Sequence, residues 1–253
     1  MRIRAVFEYC RYISQFSTMI PLCFDKFGNY FIQSVMKIAD EVSYKCFVAT
    51  LVEDAHVFAQ LATHTYGSHV IQLAIYLARD RKSSSIRLVE CLCKNLLYLS
   101  SNYLGSICLQ MAIKELPSSS RLLAALAPMS SQMSMDRHGK AIVISALKHA
   151  CSQTLGVMEK DLANNLERLV ASNPGFEVIT TALEIEKQGN INPKYSRVRL
   201  FTQNIKYTFH FLRLINYLVI HFPSHEVVRE HILPSIIHIV SQRATHISDV
   251  VDE

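Results

Sequence analysis

The chain has 253 residues, half of them hydrophobic and 19% charged, with seven Gly and seven Pro, a composition that excludes disordered, collagen-like and low-complexity proteins. Its 26 Lys and Arg against 21 Asp and Glu give a net charge of +5, which admits a polyanionic partner but is too little for an indiscriminate nucleic-acid coat. The most apolar run, residues 209–222, is broken by His210, Arg213, Asn216 and His221, so no membrane span and no membrane partner are expected.

Few Gly and Pro argue against many tight turns, and apolar residues recur at i, i+3, i+4 and i+7, so the fold class is all-α. At the start, Arg2, Arg4 and Arg11 stand against a single Glu8. That pattern fits an organelle-targeting peptide, and it equally fits an ordinary helix packed through Ile3, Phe7, Cys10 and Ile13, which is the reading taken. Five glycines follow, Gly28, Gly67, Gly105, Gly139 and Gly175, separated by 39, 38, 34 and 36 residues. Each opens the same apolar frame at +3, +4, +7 and +8. The frames are Phe31, Ile32, Val35, Met36; Val70, Ile71, Ala74, Ile75; Cys108, Leu109, Ala112, Ile113; Ile142, Val143, Ala146, Leu147; and Val178, Ile179, Ala182, Leu183. This spacing is one face of a helix, so a buried helix is expected to begin at each glycine.

Between these helices, further ones are expected over residues 54–63, 83–97, 118–126 and 152–166, with Met129, Met133 and Met135 in a flexible connector with some core filling. Residues 188–194, with Gly189 and Pro193, read as a loop. A sixth copy without glycine is expected from Thr208, with Phe211, Leu212 and Ile215 in frame and Asn216 at the fourth place. A last helix over residues 224–239 should be kinked or broken by Pro234. A helix-only unit recurring about every 36 residues is the signature of an α-solenoid, so residues 1–253 read as one repeat domain of five to six units.

With the frame positions assigned to the core, +1, +2 and +5 form a second face on each helix. In order these are Asn29, Tyr30, Gln33; Ser68, His69, Gln72; Ser106, Ile107, Gln110; Lys140, Ala141, Ile144; and Phe176, Glu177, Thr180. The first three units place a small polar residue at +1 and Gln at +5; the last two do neither. An amide offers both a donor and an acceptor to a base edge, and a flat ring at +2 can cover a base face. The alternative for these positions is a solvated surface with ordinary helix capping.

The runs Phe27-Gly28-Asn29-Tyr30-Phe31-Ile32-Gln33 and Tyr66-Gly67-Ser68-His69-Val70-Ile71-Gln72 resemble the reading helix of the Pumilio (PUF) RNA-binding repeats, and Leu104-Gly105-Ser106-Ile107-Cys108-Leu109-Gln110 is a looser match. The resemblance implies a right-handed solenoid whose concave face binds single-stranded RNA, one base per repeat. It implies that Asn29 with Gln33 reads uracil, and that Ser68 with Gln72 and Ser106 with Gln110 read adenine, antiparallel, as 5′-A-A-U-3′. The partner it implies is A/U-rich RNA such as an mRNA 3′ untranslated region, and the role is cytoplasmic control of mRNA, with nucleolar ribosome assembly as a variant. Protein partners would sit on the convex face. The rival is an armadillo or HEAT-type protein scaffold, favoured by the two units without readers.

Other chemistry is not expected. The chain has no G-x-S-x-G elbow, Walker-type loop or H-E-x-x-H, so no enzyme and no cofactor are expected. Cys91 and Cys93 diverge on a helix and Pro223 separates His221 from His225, so no metal site is expected. Seven Cys without a secretory signal or glycosylation sequon read as reduced, intracellular thiols. Lys140 reads as a solvated side chain ahead of a phosphate contact, and Phe176 fits a stacking platform or partner contact and a packed ring equally.

Overall fold

The computed structural model of the chain describes residues 12–188, 197–202 and 209–237. Its regular elements are all helical, with no strand among the described residues, and no helix there is long and apolar enough to cross a membrane. The N-terminal stretch weighed between targeting peptide and packed helix lies outside the described residues, except that Ile13 is buried.

The chain divides into two compact units, one ending at Asp161 and one beginning at Leu162. In the first, a repeat is three helices: a short leader, a glycine-opened core helix and an outer helix. The first repeat is α1 (Phe16–Phe24), α2 (Gly28–Ile38) and α3 (Glu41–Leu51), and the second is α4 (Ala55–Thr63), α5 (Gly67–Leu77) and α6 (Lys82–Lys94). The third is α7 (Leu96–Ser100), α8 (Tyr103–Glu115) and α9 (Ser119–Leu126), and the fourth is α10 (Ser130–Ser134), α11 (Gly139–His149) and α12 (Ser152–Asn164). The core helices stack in order, α2 on α5, α5 on α8 and α8 on α11. The second unit holds α13 (Leu166–Ala171), α14 (Asn173–Gln188), α15 (Arg197–Thr202) and α16 (Phe209–His221), with α13 packed on both α14 and α16. There the Arg197 guanidinium, itself buried, donates to the Ala182 carbonyl at 2.6 Å and so satisfies a carbonyl within the helix core.

The expected frames are buried in every core helix except at Phe31, which is 39% exposed. Among the described residues α2 has a core-helix neighbour on one flank only, whereas α5 and α8 have one on each. The sixth frame is displaced from its expected register. Phe211, Leu214, Ile215 and Leu218 are buried, while Leu212 and Asn216 are exposed; Thr208 lies outside the described residues.

Each glycine marks a place where two backbones nearly touch. A methyl group on Gly105 would lie 2.5 Å from the Leu99 carbonyl oxygen and 2.9 Å from its Cα. The same position six residues back, Leu22, Leu61, Met133 or Leu169, meets each of the other four. No described glycine has a positive φ, so space and not backbone conformation selects glycine here. Gly156, inside α12, has nothing within 4 Å of that position.

The turn into each core helix is closed three residues before the glycine by a side-chain acceptor. Asp25 Oδ1 accepts from the N–H groups of Phe27 and Gly28 at 2.9 and 2.6 Å. His64 Nδ1 accepts from Tyr66 and Gly67 at 3.2 and 3.3 Å, and Asn102 Oδ1 from Leu104 and Gly105 at 2.9 and 3.2 Å. Asp136 Oδ1 accepts from His138 and Gly139 at 2.7 and 2.8 Å, and Ser172 Oγ from Gly175 at 3.1 Å. These bonds satisfy N–H groups that a helix start leaves without partners.

The helices expected over 83–97 and 152–166 are each interrupted, at Asn95 and Asn165, whose φ and ψ of −114° and 17° and of −110° and 16° leave the helical region. The Asn95 amide donates to the Cys91 carbonyl at 3.1 Å and to the Ala55 carbonyl at 2.9 Å. It thereby ends α6 and ties the outer helix to the start of α4. Met133 is buried on α10, the core filling expected, while Met129 closes a 3₁₀ turn where a flexible connector is expected. Pro234 does not break the last helix, because a π-helical turn over Val228–Ile232 precedes it and the chain stays helical to residue 237. A widened turn accommodates a residue that cannot donate an N–H. The loop expected at 188–194 falls outside the described residues beyond Gln188.

Two predictions follow from the crossings and the caps. Gly105→Ala should destabilise the chain by about 1–3 kcal/mol through backbone overpacking. Gly156→Ala, in an open helix interior, should stabilise it by about 0.5–1 kcal/mol. Denaturant melts of the two variants check both signs.

Hydrogen bonds from Gly28 and then Phe27 hold the Asp25 carboxyl below the usual carboxylate range, and those from Val57 and His56 do the same for Asp54 at the start of α4. Their stabilisation is present in full above the unfolded value of about 3.9 and is lost as pH falls through the lower folded values. Thermal melts should therefore show the melting temperature falling below about pH 4, and less steeply in Asp25→Asn with Asp54→Asn, where a neutral amide oxygen still accepts.

Candidate nucleic-acid interface

The starts of α2, α5 and α8 carry the candidate residues. At +2, Tyr30 is 66% exposed and His69 is exposed, while Ile107 is half-buried. At +5, Gln33, Gln72 and Gln110 are all half-buried. At +1, however, Asn29, Ser68 and Ser106 are buried, at 1%, 0% and 3% exposure. The sequence reading put all three positions on one open face. In these three repeats the structure leaves +2 and +5 exposed or half-buried and folds the small polar +1 residue back onto the turn.

The hydrogen bonds show how the +1 and +5 groups are held. Asn29 Nδ2 donates to the carbonyls of Asp25 and Lys26 at 2.9 and 2.8 Å, and its Oδ1 accepts from Gln33 Nε2 at 3.0 Å. The Asn29 amide is thus fully engaged within the turn, and Gln33 keeps its amide oxygen uncommitted. Ser106 Oγ donates to the Tyr103 carbonyl at 2.7 Å, and Gln110 Nε2 to the Ser106 carbonyl at 3.2 Å. Ser68 differs: its hydroxyl is buried without any partner. A buried hydroxyl without a hydrogen bond is unfavourable, so Ser68 is the polar group in this row with most to gain from one.

The fourth and fifth core helices present different surfaces. Lys140, Ala141 and Ile144 are half-buried on α11. On α14, the Phe176 ring is covered by the Arg213 guanidinium 3.9 Å from its centroid and meets Tyr217 edge-on at 6.2 Å. Tyr217 in turn donates to Glu184 at 2.7 Å, and Arg213 to the Asn173 side chain at 2.9 Å. Of the two readings of Phe176, the packed ring is the one observed.

The caps three residues before each glycine, Asp25, His64, Asn102, Asp136 and Ser172, escaped the sequence reading although their phase was visible; their types differ, and only a shared acceptor atom unites them. Tyr103 was also missed. It opens α8 at 62% exposure, with its ring edge-on to His138 at 5.8 Å.

Among the described residues no group of three or more His, Cys, Asp or Glu is arranged to hold a metal ion. Cys91 is buried, which pushes its thiol up to about 11, and burial pushes Cys108 up to about 12. Both are inert as nucleophiles at neutral pH.

The description "Pumilio-family RNA binding repeat" fits residues 19–43 and 58–80, which are the first two core helices and their flanks. Pumilio homolog 9 of Arabidopsis thaliana is 24% identical over 153 residues, 59% of this chain and 26% of that protein. In fold, the chain is similar to a Puf4 double mutant bound to the Cox17 RNA 3′ UTR recognition sequence (TM-score 0.73, 15% identity, 92% of this chain and 77% of that one). It is also similar to the PUM-HD domain of S. pombe Puf1 in complex with RNA (TM-score 0.73, 16% identity, 90% of this chain and 58% of that one). The chain thus spans about a quarter of its curated relative. In sequence the chain is similar to Pumilio repeats over its first two repeats, and in fold, an all-α solenoid of repeats, it is similar to these Puf structures over most of its length.

Proposed function

We propose that the chain binds single-stranded RNA, reading A/U-rich segments of mRNA with the starts of α2, α5 and α8, and thereby regulates mRNA translation or stability in the cytoplasm. The observation that carries this reading is the recurrence of a half-buried Gln at +5 on three successive stacked helices, with an exposed ring at +2 on two of them. Capping alone requires neither. The solved structures of similar fold, whose domains are bound to RNA, support the same reading.

The chemistry at each position differs. Tyr30 and His69 cover base faces, contacts that tolerate any base. Gln72 beside the unpartnered Ser68 hydroxyl offers donors and acceptors to an adenine edge, as do Gln110 and Ser106. Gln33 offers its free oxygen to a uracil N–H, and its Nε2 exchanges the internal bond to Asn29 Oδ1 for one to a uracil carbonyl. Because that step trades one hydrogen bond for another, discrimination at each base is modest, about 1 kcal/mol.

A second reading, a protein-interaction scaffold, is favoured by the fourth and fifth core helices. In that reading neither half-buried Ile144 on α11 nor the covered Phe176 ring on α14 reads a base.

Titration of a labelled A/U-rich single strand separates the readings: binding should appear at low salt and fall as salt rises, whereas no binding at low salt supports the scaffold. Residue identity is tested by Asn29→Ser with Gln33→Glu, a pair resembling the family's guanine reader. Ser already fills the buried +1 place in the next two repeats, so the variant should fold. Selection from random RNA should then return G in place of U at the 3′ base of the triplet 5′-A-A-U-3′. Tyr30→Ala should weaken all sequences alike by roughly 1–3 kcal/mol.

A further inference from the structure

The third repeat lacks a ring at +2, where Ile107 has no π-face to offer. One helical turn earlier on the same face of α8, at i and i+4, stands Tyr103. Its ring is 62% exposed and makes no hydrogen bond through its hydroxyl. It meets His138, the residue that precedes Gly139 and opens the fourth repeat, with centroids 5.8 Å apart and planes at 61°. Both rings are anchored by capped helix starts. Asn102 bonds the N–H groups of Leu104 and Gly105 just after Tyr103, and Asp136 bonds the N–H of His138 itself at 2.7 Å. Arg137, exposed, sits beside His138.

We propose that Tyr103 and His138 form a ledge that stacks one unpaired nucleobase, the nucleotide immediately 5′ of the triplet, without selecting its identity. This rests on the RNA reading above. It extends that reading to a nucleotide for which neither the third nor the fourth repeat has an ordinary site. The third lacks its ring, and the fourth presents Lys140, Ala141 and Ile144 where readers would stand. The exposed Tyr103 ring, braced edge-on by His138, offers a preorganised aromatic face, and every base has a face to lay on it. Stacking engages the face of the base and leaves its edge groups unread, which makes the site tolerant of sequence. A strand running antiparallel to the repeats passes from the third repeat to the fourth in its 5′ direction, which is the direction in which the ledge lies.

The test uses the full chain at low salt with labelled tetranucleotides 5′-N-A-A-U-3′, in which N is each of the four bases or an abasic nucleotide that keeps the phosphate. Each of the four bases should bind about 5-fold or more tightly than the abasic probe, with little difference among them. Tyr103→Ala should remove that gain and leave the abasic probe unchanged; Tyr103→Phe should retain it, since stacking needs no hydroxyl. A thermal melt of Tyr103→Ala equal to that of the parent chain shows that the variant folds. If the triplet binds but a fourth base adds nothing, or if Tyr103→Ala keeps the gain, the ledge is overturned while the RNA reading stands. If none of the probes binds, the RNA reading itself fails and the ledge with it.

Discussion

The backbone crossing at each repeat glycine is the constraint on which the rest of the structure depends. Where the chain leaves a leader helix and enters a core helix, the glycine lies against a carbonyl six residues earlier, with no room for a methyl group. That contact fixes the angle between leader and core helix. The angle in turn sets which side of the core helix meets its neighbour, and so the frame at +3, +4, +7 and +8 becomes the buried face. Repeated with each unit, one local geometry generates the stack α2, α5, α8, α11 without any long-range instruction beyond apolar burial.

The same crossing shapes the candidate interface. In the first three repeats the small polar residue after the glycine lies inward, with Asn29, Ser68 and Ser106 buried, and the turn before it is locked by a side-chain acceptor. What remains at the open helix start is the +2 side chain and the half-buried +5 amide. Those positions are held on rigid, capped helix starts, which is the arrangement a weak but selective reader needs. In the second unit the +1 residue is a ring, Phe176, and it packs with Arg213 and Tyr217.

Much of this was legible in the sequence because helix periodicity and repeat phase are both one-dimensional signals. Val70, Ile71, Ala74 and Ile75 had to face inward together once a helix began at Gly67, and they do. The reason for the glycine was not legible, since a close approach six residues back leaves no mark on composition. Asn95 and Asn165 break helices that apolar periodicity alone would continue; at Asn95 the amide bonds carbonyls on two helices, which is a tertiary fact. The register of α16 was misplaced for a related reason. Leu212 and Leu214 are equally apolar, and without a glycine to mark the helix start only packing decides between them. Burial at +1 escaped because Asn and Ser are read as surface residues, while here Asn29 satisfies its donors on the carbonyls of its own turn.

The central claim is that three consecutive core-helix starts in the first unit read RNA. The measurement that tests it most directly is selection from a random single-stranded RNA pool with the full chain at low salt, read by sequencing. The account predicts enrichment of a contiguous A-A-U at one fixed register, with no comparable preference in the bases on either side. Recovery of an unenriched pool, or of a motif unrelated to A-A-U, would contradict it.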